Sequence, residues 1–179
     1  AENSEEFLRS LRQTGVELRV ISGDDEARLS FRSVTESLPM PPGGRRSVLD
    51  IGGGSTELIV GGIHPERWQS VKIGSVRLHE RFLHSDPPTE AEIAALTAAI
   101  DAGLDGLPQP EGELVALAGT ATTVAALYLQ LAEYDGRRVD GLRVPTARMR
   151  EIIGSLGRLR VAERQQLAGL DPRRADVIF

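Results

Sequence analysis

The chain has 179 residues, is 40% hydrophobic and 26% charged, and so has the composition of an ordinary globular protein of one large domain or one domain and part of another. Its net charge of -5 argues against a nucleic-acid-binding surface, which is normally basic. It has no cysteine, which excludes disulfides and thiolate metal sites and fits a cytoplasmic location, and no apolar run approaches the roughly 20 residues of a membrane span.

The first part of the chain predicts two helices separated by a strand. Residues 4–14 have an amphipathic helical pattern, and Val16–Ile21 alternates apolar and polar residues as a strand does. Ser22-Gly23-Asp24 is predicted to be a turn that offers an N-cap, and Asp25–Leu38 has a helical pattern. The run Pro41–Gly44 then breaks the chain.

Three short strands are predicted after this break. Val48–Ile51 and Thr56–Val60 read as a hairpin around three glycines, and Arg67–Ile73 reads as a third strand. Thr89 then begins a helix, with Glu92 placed to complete a capping box.

The last third predicts one buried strand and several helices. Leu114–Leu117 is a short strand, and it leads through a Gly-Thr turn into a helix over Thr122–Ala132. After an ambiguous stretch at 137–144, which reads as a strand or a loop, two more helices are predicted: Met149–Leu159 and Ala162–Leu167. The chain starts without methionine and ends on an apolar triplet, so we expect a fragment of a longer protein.

The glycine loop after Asp50 is the most informative segment. Three glycines allow backbone N–H groups to approach a phosphate closely, and an aspartate at the strand end can hold Mg²⁺ beside it. A Rossmann fingerprint needs a helix after the glycines, whereas Thr56–Val60 alternates as a strand, and a P-loop needs a lysine that is absent here. A phosphate-binding hairpin and a plain glycine turn remain.

A second segment makes the phosphate interpretation more specific. Leu114–Thr123 is another apolar strand that runs into a Gly-Thr turn and a helix. Free N–H groups there, with the hydroxyls of Thr120 and Thr122, could hold a second phosphate, although an ordinary N-capped helix explains the threonines as well.

The remaining polar residues are less specific. Asp24, Asp25 and Glu26 open a helix, where acids also simply complement the helix dipole. The three histidines make no metal-site spacing and are expected to be exposed, and two arginine pairs are expected to be surface charge: His64, His79, His84, Arg137-Arg138 and Arg173-Arg174.

In combination, these segments resemble the exopolyphosphatase and guanosine-pentaphosphate phosphohydrolase family. The matching stretches are ISGDDEARLSF, VLDIGGGSTELIVGG, IGSVRLHERFL with the following DPP, AGTATTVAAL and GLDPRRADVI. The resemblance implies an α/β fold of the actin, Hsp70 and sugar-kinase type, with a ribonuclease-H-like lobe whose mixed five-stranded sheet is flanked by helices. Residues 1–30 would end the first lobe and residues 31–179 would form most of the second.

The resemblance also implies roles for single residues. Glu26 matches the catalytic glutamate, and Asp50 and Glu57 match acids associated with the metal. The phosphate loops would be formed by Gly52, Gly53, Gly54 and Ser55 in the first loop and by Gly119 and Thr120 in the second. The phosphate loop of the family's first lobe is absent from this chain, so the fragment alone is expected to lack part of the site.

The resulting hypothesis is Mg²⁺-assisted removal of terminal phosphate from polyphosphate or of the 5′ γ-phosphate of guanosine pentaphosphate, linked to the stringent response. Glu26 would activate the attacking water, and the loop N–H groups would stabilise the phosphoryl oxygens. Two alternatives stay open: an ATP-using kinase or ATPase of the same superfold, and a non-catalytic sensor of polyphosphate or guanosine tetraphosphate. No nucleic-acid or membrane partner is expected, and a homodimer is possible because a separated lobe exposes apolar surface.

Overall fold

The computed structural model describes residues 21–179, together with Arg9, Gly15 and Leu18. Its helices and strands follow in this order: α1 (Gly23–Ser37), β1 (Arg46–Ile51), β2 (Thr56–Gly61), β3 (Pro65–Val71), α2 (Ser75–Phe82), α3 (Glu90–Leu104), β4 (Glu113–Leu117), α4 (Ala118–Leu129), α5 (Gly136–Val139), α6 (Thr146–Leu156), α7 (Val161–Arg164) and a 3₁₀ turn (Pro172–Arg174). The predicted helix over 4–14 and most of the predicted strand Val16–Ile21 lie outside the described residues.

The strands form one mixed sheet in the order β3-β2-β1-β4. β1 pairs antiparallel with β2 and parallel with β4, and β2 pairs antiparallel with β3. The mixed sheet and the predicted hairpin are confirmed, but the described residues contain four strands rather than the five expected. The ambiguous stretch at 137–144 begins in α5, because the Asp135 side chain caps the Arg137 N–H at 3.0 Å and starts a helical turn there.

Helix α1 covers one face of the sheet. Its buried side chains Ala27, Phe31 and Val34 pack against Val48 of β1 and Ile59 of β2. The three helix positions are spaced so that their side chains lie on one face of α1. Alternate residues of each strand lie on one face of the sheet, and these two apolar faces pack together as one layer. Four half-buried residues pack against this layer: Leu38, Trp68, Val115 and Leu117.

A buried guanidinium fixes the end of α1. Arg46 is 0% exposed and donates to the carbonyls of Val34, at 3.4 Å, and Leu38, at 3.3 Å, in the last turn of the helix and just beyond it. It also contacts Glu113 of β4 at 3.1 Å. A cation is favoured at a helix C-terminus, so Arg46 ties α1, β1 and β4 together with complementary charge.

Local sequence signals predicted the start of one helix correctly and missed the start of another. The predicted capping box is confirmed: Glu92 accepts from the Thr89 N–H at 2.7 Å, and such bonds lower the pKa of the Glu92 carboxyl to about 2. The sequence missed α2, because its N-cap Gly74 supplies no side-chain cap. α1 runs continuously through position 30, so the predicted lobe boundary lies inside a helix and stays a prediction.

Among the described residues, none of the helices has both the length and the apolar character needed to cross a bilayer.

Candidate functional site

Two loops leave the same edge of the sheet side by side. Asp50 of β1 and Leu117 of β4 are register partners in a parallel pair. Gly52 follows Asp50 by two residues, and Gly119 follows Leu117 by two residues. Because neighbouring strands lie about 4.8 Å apart, the two loops predicted to bind phosphate emerge next to each other. The carboxyl ends of parallel strands are where open α/β sheets bind ligands.

The first loop, Gly52–Ser55, has its carbonyl groups turned towards α2. The Gly52 and Gly53 carbonyls accept, each at 3.0 Å, from the backbone N–H groups of Ser75 and Arg77, and the Gly54 carbonyl accepts from Arg77 Nε, also at 3.0 Å. Within the described part of the chain, the N–H groups of Gly53, Gly54 and Ser55 have no acceptor. Three unpaired N–H groups in a tight glycine turn form a concavity suited to an anion.

The close contact between the start of α2 and the first loop requires glycine at position 74. A Cβ on Gly74 would lie 2.6 Å from the Gly53 carbon and from the Gly54 and Ser55 nitrogens, closer than real Cβ atoms approach other atoms. The start of α2 therefore presses directly on the loop, and its position holds the carbonyl groups on that side.

Two carboxylates lie beside the loop on the α1 face of the sheet. Asp50 and Glu57 are register partners across the β1–β2 pair, so their side chains point to the same side. Ser30 donates to Asp50 at 3.3 Å, and Ser70 donates to Glu57 at 2.5 Å. Burial raises the pKa of the Asp50 carboxyl, and the charge of Glu57 raises it further.

This pair fits a hard divalent cation. Two like charges directly opposite each other repel, and a cation between them would relieve that repulsion. Within the described residues, no group of three or more His, Cys, Asp or Glu side chains could hold a metal ion alone. Mg²⁺ does not need such a group, because it is commonly held by one or two carboxylates together with waters and substrate phosphates.

Glu26 lies on α1, at the margin of the same area. It is one helical turn before Ser30, the residue that contacts Asp50, so the two lie on neighbouring parts of the helix surface. Glu26 is exposed, in the first turn of the helix. Ser30 therefore links the helix that carries Glu26 to Asp50, and the catalytic role of Glu26 stays a prediction.

The second loop is a direct turn from β4 into α4. Ala118 adopts φ of 68°, a left-handed conformation that non-glycine residues rarely take and that costs about 1–3 kcal/mol. A Cβ on Gly119 would overlap the guanidinium of Arg174, so the glycine admits that side chain. Arg174 is half-buried and forms no ion pair with any described residue. A cation at a helix N-terminus is unfavourable unless an anion joins it, so this corner also suits a phosphate.

Two expectations for this loop need correction. The Thr122 hydroxyl is not directed at a ligand, because it donates to the Ala118 carbonyl at 3.1 Å inside the helix. Arg174 is not plain surface charge, whereas its neighbour Arg173 is exposed and pairs with Asp171 at 2.7 Å. Beside Arg174 lies an open cavity of about 520 Å³ whose lining includes Tyr134, Leu131 and Leu167.

The family assignment follows from comparison with known proteins. The sequence model of the Ppx/GppA phosphatase family matches residues 1–179. The chain belongs to this family. Exopolyphosphatase 2 of Mycobacterium tuberculosis is 40% identical over 169 residues, covering 92% of this chain and 53% of that protein. Exopolyphosphatase 1 of the same organism is 36% identical over 187 residues, covering 99% of this chain and 54% of that protein.

Solved structures of Ppx/GppA proteins agree. The crystal structure of the Aquifex aeolicus family member matches with a TM-score of 0.86 at 34% identity, covering 99% of this chain and 58% of that one. This likeness confirms the predicted α/β fold of the actin-like superfold. The chain spans about half the length of the exopolyphosphatases it matches.

The Ppx/GppA motifs located most of the candidate site, but the contacts of several residues inside and outside these motifs were missed. The structure places Asp50, Glu57 and the Gly52–Ser55 loop together and puts the Gly119-Thr120 turn beside them. Sequence reasoning did not find Arg174, Gly74, Ser30 or Ser70. The GLDPRRADVI match included Arg174 without indicating its contact with Gly119, which joins positions far apart in the chain.

Gly74→Ala tests the contact between α2 and the first loop. The new Cβ would force the loop away from α2, and we expect a loss of stability of about 1–3 kcal/mol, measured by thermal unfolding of the full-length protein. Gly154→Ala is the matched control: a Cβ there meets nothing within 4 Å, and alanine inside α6 should stabilise by about 0.5–1 kcal/mol. Equal Tm values for Gly74→Ala and wild type would contradict the close packing.

Asp50→Asn tests the strain in the carboxylate pair. Because the pKa of Asp50 is raised in the folded state, its ionised form destabilises the fold at neutral pH, and this cost disappears as pH falls below the ordinary value of 3.8. We expect Asp50→Asn to raise Tm by about 1–3 °C near pH 7, with the gain shrinking towards pH 4.

Millimolar Mg²⁺ should narrow this difference by stabilising the aspartate form only. Asp140→Asn, at an exposed aspartate in no ion pair with a described residue, should show neither effect. A lower Tm for Asp50→Asn at every pH would contradict a destabilisation of ionised Asp50 by burial and by the charge of Glu57.

Proposed function

We propose that this chain is the larger part of the catalytic site of a phosphohydrolase that removes terminal phosphate from inorganic polyphosphate. The observation that carries the proposal is the Gly52–Ser55 loop, whose carbonyl groups are bound by α2 and whose N–H groups have no acceptor among the described residues. Asp50 and Glu57 lie opposite each other on the two strands that flank this loop, and Glu26 lies one helical turn before Ser30, which binds Asp50. The exopolyphosphatases that the chain matches support the choice of substrate.

The terminal phosphoryl group would lie in the first loop. The N–H groups of Gly53, Gly54 and Ser55 would donate to its non-bridging oxygens, where negative charge gathers in the transition state. These donors are held by contacts to Gly74 and Arg77, so little reorganisation accompanies the reaction. Phosphoryl transfer depends mainly on such positioning and charge compensation.

Asp50 and Glu57 would hold Mg²⁺ directly or through water, as their opposed carboxylates suggest. When bound there, Mg²⁺ would neutralise charge on the phosphate oxygens. Ser30 and Ser70 would orient the two carboxylates by the hydrogen bonds they already donate. Such outer partners fix the direction of the oxygen ligands.

Glu26 would orient a water and take its proton as the water oxygen attacks the terminal phosphorus. The anhydride P–O bond then breaks, its electrons pass to the bridging oxygen, and a polyphosphate shorter by one unit leaves with inorganic phosphate formed. Glu26 is exposed to water and lies one helical turn before Ser30, the residue that binds Asp50. The remaining contacts to the substrate would come from the other lobe.

The second loop would hold a phosphate further along the substrate. Arg174 and the first N–H groups of α4 offer positive charge beside Gly119. A chain of linked phosphates is long enough to occupy two neighbouring subsites, whereas a single phosphate ester is not. The two subsites therefore favour an extended polyanion.

Guanosine pentaphosphate is the second candidate substrate, and one observation favours it. The cavity of about 520 Å³ beside Arg174 has apolar and aromatic lining, including Tyr134, and could take a nucleobase next to the phosphates. The same cavity would serve a kinase or ATPase of this superfold, or a sensor that binds guanosine tetraphosphate without hydrolysis. The grouped acids favour hydrolysis over those alternatives. A cytoplasmic location and a homodimer stay predictions.

Glu26→Gln in the full-length protein tests the hydrolytic assignment. Glutamine keeps the shape of the side chain but cannot accept the proton, so phosphate release from polyphosphate with Mg²⁺ should fall at least about 100-fold. Glu36→Gln makes the same change at the other end of α1, where Glu36 only pairs with Arg32 at 2.7 Å, and it should keep the wild-type rate. A wild-type rate of phosphate release by Glu26→Gln would contradict the general-base role.

Tyr134→Ala separates the two substrates. If a base stacks in the cavity, losing the ring should raise KM for guanosine pentaphosphate by roughly tenfold, in line with base–aromatic stacking, and leave polyphosphate turnover unchanged. Both substrates are assayed on the same full-length variant, so polyphosphate is the internal control. An unchanged KM for guanosine pentaphosphate would show that its base does not bind in this cavity.

A further inference from the structure

The first turn of α1 is held to the sheet by one side-chain hydrogen bond that the proposed chemistry does not use. The indole N–H of Trp68 donates to Asp24 Oδ1 at 3.1 Å. Trp68 lies on β3 and packs against the apolar layer beneath α1, so its ring is fixed by the core. It is the one tryptophan in the sequence. Asp24 is thus anchored to a rigid donor 44 positions away.

The turn that carries Glu26 has little else to fix it to the sheet. Apolar packing of α1 begins at Ala27, which is 2% exposed, while Gly23, Asp24 and Glu26 before it are exposed. The Ser22 side chain hydrogen-bonds within the same turn, to the backbone N–H and the carboxylate of Asp25. Ends of helices without buried side chains fray readily. Among the described residues, Asp24 therefore supplies the side-chain hydrogen bond from the first turn to the sheet.

The geometry also restrains rotation of the helix. At 3.6 residues per turn, Asp24 and Ser30 lie about 120° apart around α1, and the buried Ala27 and Phe31 lie between them. Trp68 binds the helix on one flank, and Asp50 binds Ser30 on the other flank. Two hydrogen bonds on opposite flanks of the buried stripe oppose rotation in both directions.

Glu26 depends on that rotation. It lies about 40° beyond Ser30, on the Asp50 flank of the helix and nearer the N-terminus. A rotation or a fraying of the first turn would move its carboxylate relative to the glycine loop. Displacement of a reacting group by about 1 Å can cost roughly 100-fold in rate.

We propose that Trp68 and Asp24 form a positioning pair, which holds the first turn of α1 so that Glu26 faces the phosphate loop. The proposal rests on the proposed role of Glu26 as the base. It makes Asp24 an acceptor for a specific indole donor rather than one of several acids that complement the helix dipole. The two explanations of Asp24 differ in what they require: an oxygen atom in the first case, a negative charge in the second.

The test compares Trp68→Phe, Asp24→Ala and Asp24→Asn in the full-length protein, with kcat and KM measured on polyphosphate. Phenylalanine keeps a ring in the core without the N–H donor, and asparagine keeps an oxygen acceptor without the charge. We expect Trp68→Phe and Asp24→Ala to lower kcat by roughly tenfold with KM nearly unchanged, and Asp24→Asn to stay close to wild type.

A control for stability uses the other half of the same helix. Val34→Ala truncates a buried side chain of α1 that is 6% exposed and remote from the first turn. It should lower Tm while leaving kcat per folded molecule unchanged. If Val34→Ala lowers kcat as much as Trp68→Phe does, general loosening of α1 explains the effect and the positioning pair is wrong.

A cycle with Glu26→Gln shows whether the pair acts through the base. If it does, adding Trp68→Phe to Glu26→Gln should cause no further loss of kcat, whereas independent effects would multiply. A Glu26→Gln variant with wild-type turnover overturns the proposed function itself. If Glu26→Gln loses activity, either of two results would overturn the positioning pair alone. One is a wild-type kcat for Trp68→Phe. The other is a kcat for Asp24→Asn as low as that for Asp24→Ala.

Discussion

The pairing of β1 on both of its edges determines where the two carboxylates and the two glycine loops of the proposed site lie. On one side the antiparallel register with β2 sets Asp50 opposite Glu57, and on the other the parallel register with β4 sets Asp50 beside Leu117. A slip of one residue in either pair would turn side chains to the other face or stagger the two loops. The buried Val48 and Ile59 hold the register, because they must stay under α1.

Several locally unfavourable features gather at this one edge of the sheet. Asp50 and Glu57 repel each other, Ala118 takes a left-handed backbone, and the Arg174 guanidinium lies against the start of a helix. A divalent cation would relieve the repulsion between the two carboxylates, and a phosphate would offset the charge of Arg174 at the helix start. The apolar layer beneath α1 and the buried Arg46 supply the stability that such a site lacks.

Helix α1 links this edge to the rest of the fold. Arg46 holds its C-terminal carbonyl groups, the apolar stripe holds its middle, and Trp68 and Asp50 hold its two flanks nearer the N-terminus. The residue proposed to activate water is therefore placed by packing several turns away as well as by its own neighbours. Because these contacts hold the helix on the sheet, few side chains of its first turn need to be buried.

Elements with strong local signals, and the chemistry of the loops, could be predicted from the sequence. The capping box at Thr89, the apolar periodicity of α1 and the glycine hairpin after Asp50 each depend on residues close together in the chain. The start of α2, the contact of Arg174 with Gly119 and the bond from Trp68 to Asp24 could be seen only in the folded chain. These depend on contacts between distant segments, and such contacts form only when the register of the sheet and the position of each helix are fixed together.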